Sequence, residues 1–150
     1  MRMAIKLSRR NIDRLAGGPF GAVIVKNGEV IAKSANKVVS KNDPTAHAEV
    51  SAIRLACKKL GTYNLQGCVI YTSCEPCPMC LGAIYWARLD AIYYGNTKTD
   101  AATIGFDDQF IYEELGLPLD QRTVRISRLL PDEALNVFKL WMISNAKTDY

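Results

Sequence analysis

The pattern of apolar and polar positions predicts a β-hairpin near the start of the chain. Residues 21–25 and 29–36 are rich in β-branched side chains and flank Asn27-Gly28. Asn-Gly between two such runs is the strongest short-range signal for a two-residue hairpin turn. Residues 1–16 carry apolar side chains at loosely helical spacing, which predicts a helix that Gly17-Gly18-Pro19 ends.

The middle of the chain alternates between helical and strand patterns. Asp43-Pro44-Thr45 offers a capping side chain followed by proline, which favours a helix start there, and Gly61 is placed to end that helix. Short apolar runs predict strands over residues 68–72 and 91–94, with a second helix over residues 76–88 between them. Strands that alternate with helices indicate a sheet with crossover connections and helices packed against it.

The last third of the chain has a weaker pattern. It predicts a short helix near residues 109–115, a strand over residues 123–129 and an amphipathic helix over residues 131–147. A length of 150 residues suits one domain. We therefore predict a single α/β domain with three α/β/α layers around a central five-stranded mixed sheet.

Composition places the chain among soluble globular proteins. Hydrophobic residues make up 49% and charged residues 23% of the chain. No apolar run approaches the roughly 18 residues of a membrane helix, and no secretory leader pattern is present. The five cysteines are an odd number, and two stand in a C-x-x-C, which favours metal-bound thiolates in a reducing compartment over disulfides. We expect a cytoplasmic protein.

The net charge of +4 comes from the start of the chain. A solvated helix face is the simplest interpretation of this basic segment. Contact with RNA or phosphate, or an organelle-targeting segment, are the alternatives. The charged residues before position 15 are Arg2, Lys6, Arg9, Arg10, Asp13 and Arg14.

Four polar side chains have the composition of a zinc hydrolase site. His47 supplies an imidazole, Cys77 and Cys80 supply two thiolates, and Glu49 supplies a carboxylate. Catalytic zinc takes three nitrogen or sulfur ligands and keeps a fourth position for water, whose protons a nearby carboxylate can move. Cys77 and Cys80 share one face of a helix whose first turn suits Pro78, and His47 and Glu49 fit the start of another. We therefore expect two helix N-termini to converge on the metal.

Each motif also has an ordinary interpretation. A lone histidine such as His47 is more often a core residue, and C-x-x-C can be a redox pair or half of a structural zinc site. Cys74, Cys77 and Cys80 together have the spacing of an iron–sulfur run, although that interpretation leaves Glu49 without a task. Cys74, like Cys57 and Cys68, also suits a small buried apolar position.

Several stretches resemble the cytidine deaminase superfamily and, within it, the bacterial guanine deaminases. H-x-E followed by P-C-x-x-C is the recognised signature of zinc-dependent nucleobase deaminases, and tRNA adenosine deaminases share it. The resemblance to guanine deaminases is more specific in residues 101–108 and at Tyr150. The other similar stretches are residues 17–25, 42–49 and 71–88.

The resemblance implies a role for each site residue. His47, Cys77 and Cys80 bind one Zn²⁺ per subunit, Glu49 shuttles protons, and Asp108 assists catalysis. The implied purine contacts are Phe20, Asn36, Ala48, Trp86, Asp108 and Tyr150. Without the resemblance, the aromatic residues suit a core, Asn36 suits a strand end, Asp108 suits a cap or turn, and Tyr150 suits a frayed terminus.

The activity that the resemblance implies is hydrolysis of guanine to xanthine and ammonia in purine catabolism. The family often exchanges its C-terminal segment within a homodimer, which would put Tyr150 in the pocket of the partner. A tRNA adenosine deaminase is the alternative enzyme, but the basic excess is confined to residues 1–14, so we do not expect a nucleic-acid partner. A non-catalytic zinc module is the other alternative, and it needs Cys74 as a fourth ligand.

Overall fold

The predicted hairpin forms the first half of the sheet. Strands β1 (Gly21–Lys26) and β2 (Glu29–Ala35) pair antiparallel across Asn27-Gly28 in the computed structural model, which describes residues 1–106 and 108–148. Asn27 and Gly28 have φ values of 50° and 81°. Positive φ at both central residues is what a tight hairpin turn requires, and Asn-Gly adopts it readily.

The other half of the sheet is joined by a helical crossover. Strand β3 (Cys68–Cys74) pairs antiparallel with β1 and parallel with β4 (Ala91–Asn96), so the strand order is β2-β1-β3-β4. Parallel neighbours need a long connection, and α4 (Pro78–Trp86) supplies it. The result is the mixed sheet that the alternating patterns predict.

Helices lie on both faces of this sheet. Successive strand residues point to opposite faces. A side chain at Gly21 would collide with the Ala4 carbonyl of α1 (Arg2–Asp13), so glycine permits that helix to approach one face of β1. Ala22 belongs to the core on the opposite face, together with Ala52 of α3 (Ala48–Leu60).

The start of α3 differs from the prediction. Asp43 caps a turn instead of a long helix, because its Oδ1 accepts hydrogen bonds from the backbone N–H and the hydroxyl of Thr45 at 2.8 and 2.7 Å. A short helix α2 (Val38–Lys41) precedes this turn, and α3 begins only at Ala48. The predicted end is confirmed, since Gly61 is the C-cap with φ 67°.

The chain divides into two compact units, Met1–Tyr112 and Glu113–Tyr150. The sheet belongs to the first unit. Two more helices, α5 (Lys98–Thr103) and α6 (Gln109–Gly116), follow β4, and α6 runs across the division. No helix within residues 1–106 and 108–148 combines the length and the apolar character needed to cross a membrane.

The prediction of a fifth strand over residues 123–129 is wrong. The described sheet has four strands, and the second unit contains a 3₁₀ turn (Leu119–Gln121) and α7 (Pro131–Met142) instead. A strand exists only where a neighbouring strand satisfies its backbone groups. Here the Glu114 carboxylate accepts hydrogen bonds from the backbone N–H and the hydroxyl of Thr123, at 2.8 and 2.9 Å.

Candidate active site

Two helix N-termini bring an imidazole and two thiols to one point. His47 is the N-cap of α3, and Cys77 is the N-cap of α4, with Cys80 in the first turn of α4. One ligand atom from each of the three residues lies within 4.8 Å of the others. Both caps have extended backbone, so their side chains project past the helix ends, as the spacing predicts.

The three groups fit a tetrahedral zinc ion. His47 Nδ1 lies 3.6 Å from Cys77 Sγ and 3.5 Å from Cys80 Sγ. Bonds of about 2.3 Å to sulfur and about 2.0–2.1 Å to nitrogen, held at tetrahedral angles, separate nitrogen from sulfur by about 3.6 Å. The spacing and the chemistry of the donors therefore both suit zinc.

The pKa values of the two thiols shift in opposite directions. The Cys80 thiol donates a hydrogen bond to Cys77, and this lowers the pKa of Cys77 to about 4. The same hydrogen bond, together with burial, raises the pKa of Cys80. The hydrogen bond to Cys77 raises the pKa of His47. One thiolate is thus available at neutral pH, and a metal would displace the remaining proton.

Glu49 is a buried carboxyl group beside this cluster. It is 5% exposed, and burial raises its pKa. The Thr72 hydroxyl donates to Glu49 Oε1 at 3.0 Å, and the Cys80 thiol lies 3.5 Å from Oε2. A carboxyl group that is fixed in place and holds a proton more readily than usual suits general acid–base chemistry.

A cavity of about 250 Å³ opens beside His47 and Glu49. This is below the roughly 300–1,000 Å³ typical of pockets for drug-sized ligands, so it suits one small ring system. The described residues that line the cavity all belong to the first unit. They are Phe20, His47, Glu49, Cys74, Glu75, Cys77, Ala101, Phe106, Asp108 and Ile111.

Asp108 carries an unsatisfied acceptor in the cavity wall. Its Oδ1 is buried and has no hydrogen-bond partner among the described residues. Burial raises the pKa of the Asp108 carboxyl, and the negative charges of Cys77 and Glu75 raise it further. A buried polar atom without a partner is costly, so it marks a place where a ligand can donate a hydrogen bond.

Of three other predicted substrate contacts, only Phe20 is among the described residues that line the cavity. Phe20 lines it and packs edge-on against Phe106, with ring centres 4.6 Å apart. Ala48 is fully buried in the first turn of α3. Asn36 is buried and is not among the lining residues, and its Oδ1 accepts from the Val38 N–H at 3.2 Å.

Trp86 is not among the described residues that line the cavity. Trp86 ends α4 and is 63% exposed, whereas Cys77 stands at the other end of that helix. Nine residues at 1.5 Å each separate the two ends by roughly 13 Å. Tyr150 lies outside the described residues.

Sequence reasoning missed Thr72 and four of the described residues that line the cavity, namely Glu75, Ala101, Phe106 and Ile111. Thr72, which fixes Glu49, could have been found from the alternation of β3, because it shares a face with the buried Ile70. Phe106 and Glu75 had no local signal, since their place in the cavity wall depends on loops that fold back toward the metal cluster.

Cys74 does not join the cluster as a fourth ligand. The candidate metal group among the described residues contains His47, Cys77 and Cys80 only. The Cys74 thiol is directed to the Thr97 carbonyl at 3.5 Å, and burial raises its pKa to about 11. Three ligands without a fourth are the arrangement of a catalytic zinc site and not of a structural one.

Comparisons with known proteins agree with this geometry. Residues 1–96 match the family model described as the cytidine and deoxycytidylate deaminase zinc-binding region. Guanine deaminase of Bacillus subtilis is 52% identical over all 150 residues and 96% of its own length. Its X-ray structure has a TM-score of 0.96 and covers 99% of this chain and 95% of that one.

Other relatives match less of the chain. The solved guanine deaminase of Nitrosomonas europaea is 36% identical with a TM-score of 0.68, over 71% of this chain and 62% of that one. The tRNA-specific adenosine deaminase of Agrobacterium fabrum is 51% identical over 77 residues, which are 51% of each chain. With its zinc-binding region matched and a relative similar along its full length, the chain belongs to the cytidine and deoxycytidylate deaminase family.

Proposed function

We propose that this protein hydrolyses guanine to xanthine and ammonia, with one zinc ion per subunit held by His47, Cys77 and Cys80. The observation that carries the choice of guanine is the full-length similarity to the Bacillus subtilis guanine deaminase. The similarity to the Agrobacterium fabrum tRNA-specific adenosine deaminase covers only half of the chain. The match along the full length therefore supports guanine over an adenosine in tRNA.

Glu49 carries the proton chemistry in this proposal. Zinc, when bound, makes water a nucleophile near neutral pH. Glu49 accepts the proton of the attacking water and delivers it to the ring nitrogen beside the amino-bearing carbon. It then takes the proton of the new hydroxyl group on that carbon and transfers it to the amine. The carbon–nitrogen bond breaks and the carbonyl of xanthine forms, so that one water is consumed and one ammonia is released. The buried position of Glu49 and its raised pKa support both transfers.

Asp108 and the aromatic wall hold the base in place. The free Oδ1 of Asp108 accepts a hydrogen bond from the edge of the purine and assists catalysis there. Phe20 packs on the ring, and the apolar surface of the cavity that it lines supports this contact. Asn36, Ala48 and Trp86 complete the proposed substrate contacts on the ground of the sequence resemblance alone.

We also propose a homodimer that exchanges its C-terminal segments, so that Tyr150 closes the pocket of the partner. Helix α7 has no buried residue, and Phe138 and Met142 on one of its faces are 70% and 73% exposed. An apolar helix face of this size favours a protein partner over water. A cytoplasmic place in purine catabolism belongs to the same proposal, and the free cysteines support a reducing compartment.

A substrate panel tests the activity. The zinc-loaded protein is mixed separately with guanine, adenine, adenosine, cytosine, cytidine and a tRNA anticodon hairpin, and ammonia release is measured. We expect guanine to react fastest. If the adenosine within the hairpin reacted fastest, the substrate would be RNA and not guanine. If cytosine or cytidine reacted fastest, the site would be assigned to pyrimidines.

A further inference from the structure

A phenol hydroxyl joins the segment that carries Asp108 to the loop that carries a metal ligand. Tyr112 lies in α6, which begins directly after Asp108. The Tyr112 hydroxyl donates a hydrogen bond to the Pro76 carbonyl at 3.0 Å. Pro76 directly precedes Cys77, so this bond connects the two walls of the cavity.

The ring of Tyr112 is held from a third segment. Lys98 Nζ lies 4.4 Å from the centre of the ring, within the range of an attractive cation–π contact. The Lys98 backbone N–H donates to Glu75 Oε2 at 3.0 Å, and Glu75 lines the cavity. Tyr112 therefore stands where α5, α6 and the loop before Cys77 meet.

Asp108 needs such support, because no described residue donates a hydrogen bond to its buried Oδ1. The Asp108 backbone is linked to the first turn of α6 through its carbonyl, which accepts from the Ile111 N–H at 3.1 Å. Motion of that turn would move the carboxyl group relative to Cys77 and His47. Displacements of about 1 Å are enough to reduce catalysis strongly.

We infer that Tyr112 is a positioning residue that holds Asp108 at the substrate edge through its hydrogen bond to Pro76. Lys98 supports the ring of Tyr112 in this task. The inference rests on the proposed role of Asp108 in guanine deamination and adds a residue to which neither the signature motif nor the family's substrate contacts assign a role.

Tyr112→Phe tests the hydrogen bond alone. It removes the hydroxyl and keeps the ring that contacts Lys98. We expect kcat/KM for guanine to fall about two- to tenfold, the range for the loss of one neutral hydrogen bond, with zinc content unchanged. Tyr63→Phe is the matched control, because Tyr63 follows the end of α3 opposite His47, roughly 20 Å along that helix. An unchanged kcat/KM in Tyr112→Phe would overturn the inference.

A double-mutant cycle separates positioning from a general structural effect. In the Asp108→Asn background, Tyr112→Phe should have almost no further effect on kcat/KM, because the group that it positions is already altered. A full additional loss in that background would show that Tyr112 acts independently of Asp108 and would overturn the inference.

Hydrogen exchange provides a readout that needs no activity. In Tyr112→Phe, backbone amides of residues 109–112 should exchange faster, while those of β1 and β3 keep their rates. Unchanged exchange, or acceleration spread through the sheet, would contradict a local tether. If wild-type protein released no ammonia from guanine, the proposed function would fail, and the exchange experiment would still decide whether Tyr112 fixes this turn.

Discussion

At the scale of single residues, the surroundings of Glu49 have opposing effects on the pKa of its carboxyl group. Burial raises its pKa, while the hydrogen bond from Thr72 favours the ionised form and moderates the rise. A carboxyl group with a raised pKa and a fixed orientation suits the acceptance and return of a proton. The Thr72 hydroxyl also fixes the orientation of the carboxylate, so that its other oxygen faces the metal cluster, 3.5 Å from Cys80 Sγ.

Glu49→Gln should leave the zinc site intact and abolish most turnover. The amide matches the carboxylate in shape but cannot accept and return the proton, so we expect kcat to fall by about 10²–10⁴-fold. Ammonia release and zinc content per chain are the two measurements. Glu29→Gln, at the exposed start of β2, is the control and should match wild type. Retained turnover in Glu49→Gln would remove Glu49 from the proton transfers.

At the scale of secondary-structure elements, the N-termini of three helices determine the geometry of this site. The N-caps of α3 and α4 bring His47 and Cys77 together, and α5 supplies Ala101 to the cavity wall. Helix α5 begins with a capping box, in which Asp100 Oδ2 accepts hydrogen bonds from the backbone N–H and the hydroxyl of Thr97 at 2.8 and 2.7 Å. These bonds satisfy groups that a helix start otherwise leaves open.

Asp100→Ala should therefore lower stability in a pH-dependent way. Hydrogen bonds from Thr97 lower the pKa of Asp100 below its unfolded value of about 3.9. The carboxylate thus contributes stability above about pH 4, and this contribution is lost as pH falls through the lowered folded-state pKa. We expect the variant to have a lower Tm than wild type at pH 7, and the difference in Tm to shrink below pH 4. Thermal unfolding monitored by circular dichroism measures both.

Asp132→Ala is the control for this helix-start effect. Asp132 also lies in a first turn, that of α7, but no side-chain hydrogen bond caps the start of that helix. The loss of Tm at pH 7 should be smaller there. A Tm difference for Asp100→Ala that is equal at pH 3 and pH 7 would be incompatible with the capping role of the carboxylate.

At the scale of the whole molecule, the two units differ in how far their side chains are buried. The core and the metal cluster lie in Met1–Tyr112. Glu113–Tyr150 contributes α7, none of whose residues is buried. The proposed exchange of C-terminal segments would give this apolar helix a partner and would make each pocket depend on two chains.

Complementation between two inactive chains tests the exchange. One chain carries Glu49→Gln, and the other ends at Asp149. If Tyr150 closes the partner's pocket, a mixed dimer has one site with both Glu49 and Tyr150. Random assembly makes half of the dimers mixed, so co-expression should restore roughly a quarter of wild-type activity. Activity no higher than that of the two variants assayed separately would mean that Tyr150 does not act in the partner's site.

Local sequence determined much of this protein, because its strongest signals act within a few residues. Asn27-Gly28 specifies the hairpin through its backbone preference, and Gly61 ends α3 for the same reason. The H-x-E and C-x-x-C motifs place their side chains through the geometry of a helix start, so the convergence of the three candidate metal ligands was predictable from them.

Only the tertiary structure decided which residues far apart in sequence meet. The strand predicted over residues 123–129 is absent, because a strand needs a neighbour that local sequence cannot supply. Thr72 reaches Glu49, and Tyr112 reaches Pro76, through contacts between separate elements. The chemical identity of the site is thus local, whereas the orientation of the Glu49 carboxylate depends on packing, since Thr72, 23 residues away, donates a hydrogen bond to it.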